Sequence, residues 1–177
     1  MNGLKIASKS DDMHISIGGR EVSIRPIRAT DTRIESEFVR GLSPQTKHYR
    51  FMCGLKELSP EAVDKFCRVD GDHAMAYVAT IRDHGQEVEI GVSRFTPGSQ
   101  PDSRELALTV ADAWQNQGLE MALTRPLIDF ARQHGVRRMY SVEFADNTEM
   151  RELAHELGMN AKPDPEDASQ IVYSLAL

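Results

Sequence analysis

From Arg104 to Ala111 the chain alternates: Leu106, Leu108 and Val110 point one way, and Glu105, Ala107, Thr109 and Ala111 point the other. That is the period of a strand. The alternation ends at the turn Gln115-Asn116-Gln117-Gly118, and a different period follows. Leu119, Ala122, Leu123, Leu127, Phe130 and Ala131 form one continuous stripe at helical spacing. Pro126 interrupts the helix they predict, removing the bond to the Ala122 carbonyl and favouring a kink. The free N–H groups at this helix start make a natural seat for a phosphate. With a carboxylate, Glu105, on the preceding strand, the segment points to chemistry on a phosphate-bearing acyl carrier.

The same patterning predicts the remaining elements. Ile15–Ile17 and Glu21–Arg28 read as strands joined by a tight turn at Gly18-Gly19. Asp31 is placed to cap a helix from Thr32 to Gly41. Ser43-Pro44 and Ser59-Pro60 open two further helices, each with Ser at the cap and Pro in the first turn. Strands follow at Ala74–Arg82 and Glu87–Phe95, and again at Val136–Phe144. Asn147 caps a last helix carrying Met150, Leu153, Ala154 and Leu157 on one face, with Gly158 as its stop. Gln170–Leu177 closes the sheet. The order β-β-α-α-α-β-β-β-α-β-α-β predicts an α+β fold, a mixed and mostly antiparallel sheet with flanking helices.

The stretch around Gln115 resembles motif A of the GNAT superfamily of N-acyltransferases, whose pattern is Gln/Arg-x-x-Gly-x-Gly/Ala. Gln115, Gln117, Gly118 and Leu119 fit it, whereas Glu120 stands where the family has Gly or Ala. Val22–Arg28, Leu42-Ser-Pro44, Tyr49-Arg-Phe51, Leu58-Ser-Pro60, Met75–Ala79, Val110–Gln115 and Asn147 to Gly158 are similar to the acetyltransferase domains of bacterial protein-lysine acetyltransferases. The resemblance covers almost everything from Ile15 onward. It implies the GNAT fold for residues 13–177, with residues 1–12 as a flexible lead-in. It also implies that the motif strand and the strand at Val136–Phe144 splay apart to admit an acyl-pantetheine arm.

What the resemblance implies chemically is an N-acetyltransferase using acetyl-CoA as cosubstrate, with an amine, such as a protein lysine, as acceptor. An amine with a pKa of about 10.4 arrives mostly charged at neutral pH and needs a proton acceptor. Glu105 aligns with the glutamate that serves as general base, and partial burial is expected to raise its pKa. The plainer alternative is a strand-edge glutamate, solvated or paired with Arg94 or Arg104. A main-chain N–H near Leu108 would face the developing oxyanion, and main chain around Val110 would pair with the pantetheine amides. Gln115, Asn116, Gln117, Gly118, Leu119, Glu120 and Met121 would surround the pyrophosphate. Asn147 would contact the pantetheine arm, or simply cap its helix.

Two departures stand out. A carboxylate at Glu120 adds bulk and like charge beside the pyrophosphate, unless it swings outward toward a Lys or Arg. The position where many family members carry a thiolate-protonating tyrosine is Ala154, and the adjacent His155 faces about 100° away. On the acceptor side Asp70-Gly71-Asp72 could attract a cationic amine or be a solvated turn. A second reading follows: a non-catalytic GNAT-fold sensor or partner module with a degenerate coenzyme site.

The whole-chain properties narrow the classes further. At 177 residues with 40% hydrophobic and 27% charged side chains, the chain is an ordinary globular domain. A net charge of −6 argues against nucleic-acid binding. No apolar run approaches the roughly 20 residues that span a bilayer, and the polar N-terminus lacks a signal-peptide core. Cytoplasmic residence, no membrane partner and no metal are therefore expected, with monomer and homodimer both open. Cys53 and Cys67 are expected as two buried thiols.

Overall fold

The computed structural model describes residues 12–177, so of the lead-in only Asp12 lies among the described residues. The chain forms strands β1 (Met13–Ile17) and β2 (Arg20–Pro26), then helices α1 (Thr32–Gly41), α2 (Pro44–Phe51) and α3 (Pro60–Cys67). Strands β3 (Met75–Asp83), β4 (Gln86–Pro97) and β5 (Ser103–Val110) precede helix α4 (Leu119–Gln133). Strand β6 (Arg138–Phe144), helix α5 (Thr148–Glu156) and strands β7 (Asn160–Pro163) and β8 (Gln170–Ala176) complete it. The eight strands form one sheet in the order β1-β2-β3-β4-β5-β6-β8-β7. Every neighbouring pair is antiparallel except β5 and β6.

The turn residues act as their chemistry dictates. Gly18 and Gly19 take φ of 57° and 78°, a left-handed pair that L side chains rarely adopt. Ser43 and Ser59 accept from the backbone N–H groups of Thr46 and Ala62, each at 3.2 Å. Asp31 departs from expectation. It stands at the cap position of α1, but its carboxylate binds the guanidinium of buried Arg25 at 2.8 and 3.0 Å and the N–H of Arg28 at 2.7 Å. The other unforeseen element is β7, an edge strand. Its four residues are all exposed, so no apolar alternation marks it, and Pro163 ends it where an edge tolerates a missing donor.

Both sheet faces are covered. Leu119, Leu123 and Leu127 of α4, each fully buried, pack on one face against Ile24, Ala79, Ile90, Phe95 and Leu106. Gly91 of β4 permits the close approach, since a Cβ there would lie 2.8 Å from Leu123 Cδ1. On the other face Phe38, Val39 and Val63 pack against Ala76, Val78 and Val92. Cys67 joins this layer, and burial pushes its thiol up to about 12, whereas Cys53 is exposed rather than buried.

Beneath α1 lies a buried polar cluster. Arg94 Nη2 donates to Glu35 Oε1 at 3.1 Å, and its guanidinium stacks 4.3 Å from the Phe66 ring centroid. Among the described residues, Glu35 Oε2 and both oxygens of Glu89 have no donor. Burial first, and then the neighbouring Glu35 carboxylate, push the Glu89 carboxyl well above its usual range. A proton held by Glu89 supplies the donor that this pair of acids lacks.

Stability inherits a pH dependence from this proton. A carboxyl whose folded pKa is raised contributes stability below its unfolded value, and that contribution is lost as pH rises through the folded value. Glu89→Gln, neutral throughout and able to donate to Glu35 Oε2, is expected to flatten the fall in Tm above about pH 4.5. At alkaline pH it should exceed the wild type by at least about 2–4 °C, the equivalent of about 1 kcal/mol in a domain of this size. Superimposable Tm-versus-pH curves for the two proteins would contradict the assignment.

Candidate active site

Strands β5 and β6 pair at only three positions: Ser103 with Arg138, Arg104 with Met139, and Glu105 with Tyr140. Beyond Glu105 they part, and β6 continues along β8 as far as Phe144 opposite Gln170. The phase of the β5 ladder shows what the gap exposes. Ala111 N–H donates to Ile90 O at 2.8 Å, and the β4–β5 register runs unbroken from there. In an antiparallel ladder alternate residues exchange bonds with one neighbour, so odd-numbered residues face β4. Even-numbered residues face β6: Leu106 N–H closes the last rung of the β5–β6 ladder on Tyr140, and Leu108 and Val110 turn their N–H and C=O groups into the gap. This is the open edge expected around Leu108 and Val110.

The gap widens into a cavity of about 240 Å³. Helix α2 spans it. At one end Asp112 accepts from Ser43 N–H at 3.0 Å, Ser43 Oγ at 2.6 Å and Thr46 Oγ1 at 2.7 Å. Burial raises the Asp112 pKa, but these hydrogen bonds outweigh it and hold the carboxyl below its ordinary range. At the other end His48 stacks on Phe144 of β6, with centroids 4.5 Å apart and planes 9° from parallel.

Five charged side chains line this cavity among the described residues: Glu105 and Glu143 from the two strands, Arg50 from α2, and Glu120 and Glu149 from α4 and α5 at its far end. Glu105 is exposed rather than partly buried. Neither expected ion-pair partner holds it, because Arg94 is engaged by Glu35 and Arg104 donates to the carbonyls of Pro101, Ser103 and Asp72. Glu143, on β6, was not anticipated. Its Oε1 accepts from Ser141 Oγ and its Oε2 from Asn147 Nδ2 at 3.2 Å. Burial raises its pKa, and the two hydrogen bonds and Arg50 only partly offset that. A lone glutamate in a strand carries no signal; only the splay of β5 from β6 brings it to Glu105. Asn147 caps its helix, accepting from Met150 N–H at 3.2 Å, and its amide also donates to Glu143 in the cavity wall, a bond not anticipated.

The turn before α4 is built differently from expectation. Gln115 does not reach outward; its amide donates to Val110 O at 3.0 Å and Thr46 Oγ1 at 3.3 Å, bracing the end of β5. Gln117 donates to Ala113 O at 2.9 Å. Asn116 and Gly118 take φ of 59° and 85°, and no side chain caps α4. Leu119 is fully buried, so its contribution to any ligand is main chain alone. Glu120 does not swing toward a base. It folds back, and its Oε1 accepts from Asn116 N–H at 3.0 Å. Beside it a second hollow of about 180 Å³ is lined by Asn116, Gly118, Met121 and four acids, Glu120, Glu149, Glu152 and Glu156. Burial, and then Glu120, push the Glu149 carboxyl up.

Several expected participants stand elsewhere. Ala154 is buried in the core behind α5, and His155 is exposed on another side; neither lines the cavity. Asp70 closes its own turn. The N–H of Ala74, then those of His73 and Asp72, bind its carboxylate and hold it down at about 2. That is the solvated turn, and it does not border the cavity.

A strand edge opened by splay, followed by an uncapped helix start, matches one family by sequence as well. Residues 21–160 match the acetyltransferase (GNAT) domain. The chain belongs to the GNAT acetyltransferase family. It is 42% identical over 159 residues to an acetyltransferase of Pseudomonas aeruginosa, covering 90% of this chain and 86% of that one. Its fold is similar to the GNAT domain of S. lividans PAT, with TM-score 0.82 and 24% identity over 94% of this chain and 97% of that one. It is also similar to Salmonella typhimurium yncA, solved with its cofactor acetyl-CoA, with TM-score 0.70 and 18% identity over 88% and 94% of the two chains. The chain is thus an acyl-CoA-dependent acetyltransferase. The turn before α4 offers amides to a diphosphate, but Glu120 already holds one of them.

Proposed function

We propose that this acetyltransferase moves an acetyl group from acetyl-CoA to an amine, with Glu105 as the base. The observation that carries this reading is the cavity where the open edge of β5 meets an unpaired carboxylate under α2. The amine nitrogen attacks the thioester carbonyl; a C–N bond forms and the C–S bond breaks. Glu105 takes the proton shed by nitrogen and returns it to solvent. The electron pair of the C–S bond leaves on sulfur, which takes a proton from water. The main-chain N–H of Leu108 is the donor available to the carbonyl oxygen as charge develops on it. Glu143, held by Ser141 and Asn147, supplies a second negative group to draw an ammonium into the cavity.

Acetyl-CoA is expected to raise Tm, and release of free thiol should depend on an added amine. The alternative, a GNAT fold that no longer binds the donor, is favoured by the acids around Glu120. It predicts no Tm shift at millimolar acetyl-CoA and no amine-dependent thiol, and that pair of results would overturn the transferase reading.

A further inference from the structure

Arg50 is the one cation bordering the cavity among the described residues, and nothing there uses its hydrogen-bonding capacity. It donates to no acceptor among them and pairs with no carboxylate. Its contacts are the faces of Phe51 and Phe66, with the guanidinium carbon 5.0 and 5.7 Å from the ring centroids. Arg94, its neighbour across Phe66, donates through Nη2 to Glu35 and through Nη1 to the Phe66 carbonyl. A guanidinium carries five N–H donors in a planar fork matched to a carboxylate. Half-buried on the cavity wall, that fork has no acceptor among the described residues, and a bound anion supplies it with charge-assisted hydrogen bonds. Burial, and then Arg94, lower its pKa to about 10, so it remains charged at neutral pH.

The same cavity therefore presents an unsatisfied cation and, from the facing strands, two carboxylates. An acceptor complementary to both carries a positive and a negative group close together. From this geometry we infer that the acceptor is an amine bearing its own carboxylate, an amino acid in chemical class. Arg50 holds the acceptor carboxylate, and Glu105 and Glu143 receive the amine. The inference rests on the transferase reading above and adds the substrate class to it. A lysine within a polypeptide offers the amine without the second group, leaving Arg50 unpaired.

Matched pairs test this directly: α-, β- and γ-amino acids against their carboxamides, with a peptide carrying one internal lysine as a further acceptor. For at least one pair, kcat/KM by thiol release should favour the carboxylate by at least about tenfold, the scale of one charge-assisted hydrogen bond. In Arg50→Gln that ratio should fall toward one, and Arg50→Lys should restore part of it. Amides or the internal-lysine peptide reacting as well as the carboxylates would overturn the inference and leave the transferase standing. So would the absence of any carboxylate acceptor, by rate or by calorimetry in the presence of coenzyme A. The wild-type pairs decide the matter even where an Arg50 variant fails to fold. Failure of acetyl-CoA itself to bind is a separate result that removes the transferase.

Discussion

Glu105→Gln is expected to lower kcat by roughly 10²–10⁴-fold, the usual range for a positioned general base, and to leave the Tm shift given by acetyl-CoA intact. The substitution keeps the shape of the side chain and removes only its ability to accept a proton. Glu105 carries no structural duty that the substitution would disturb. No guanidinium holds it, it is exposed, and its strand is anchored independently through the β4 ladder. Loss of the carboxylate therefore has no route to unfolding or to donor affinity. Glu143→Gln is the informative companion. Glu143 is committed to Ser141 and Asn147, so its loss should disturb the wall of the cavity and raise KM more than it lowers kcat. If Glu143→Gln instead abolishes turnover and Glu105→Gln does not, the raised pKa of Glu143 marks it as the base.

How much of this the sequence disclosed depends on whether a feature is local. The alternation from Leu106 to Val110 is a local property and returned the strand, whereas the residues expected at the gap, Leu108 and Val110, came from the family resemblance. Ser43-Pro44 and Ser59-Pro60 are likewise self-contained, and both cap as expected. β7 was hidden because its four exposed residues owe their strand conformation to β8 alone. Arg50 and Glu143 were hidden for a related reason. Each sits in an ordinary element and acquires its role only when α2 is tied across the gap by Asp112 and Phe144, residues that meet α2 only in the folded chain. Gln115 and Glu120 were read from motif position, which predicts where a side chain begins and not which nearby group satisfies it. Their own backbone neighbours were the nearer partners.

Glu120→Ala is expected to tighten acetyl-CoA binding by about tenfold to several hundredfold, since two like charges about 4 Å apart repel by about 1 kcal/mol in water and about 4 kcal/mol at an effective dielectric of 20. The carboxylate is half-buried and fixed on Asn116 N–H, so it occupies an amide that a diphosphate would use as well as adding charge beside it. The effect should shrink with added salt, because the surrounding acids of the second hollow are reached by solvent. Acetyl-pantetheine separates this cause from a general loosening of the turn. It lacks the diphosphate, so its affinity should be the same in both proteins while that of acetyl-CoA rises. Equal gains for the two thioesters would mean that Glu120 restrains the gap itself. No gain for either would mean that the diphosphate lies clear of the α4 turn, and that the four acids there are solvated surface.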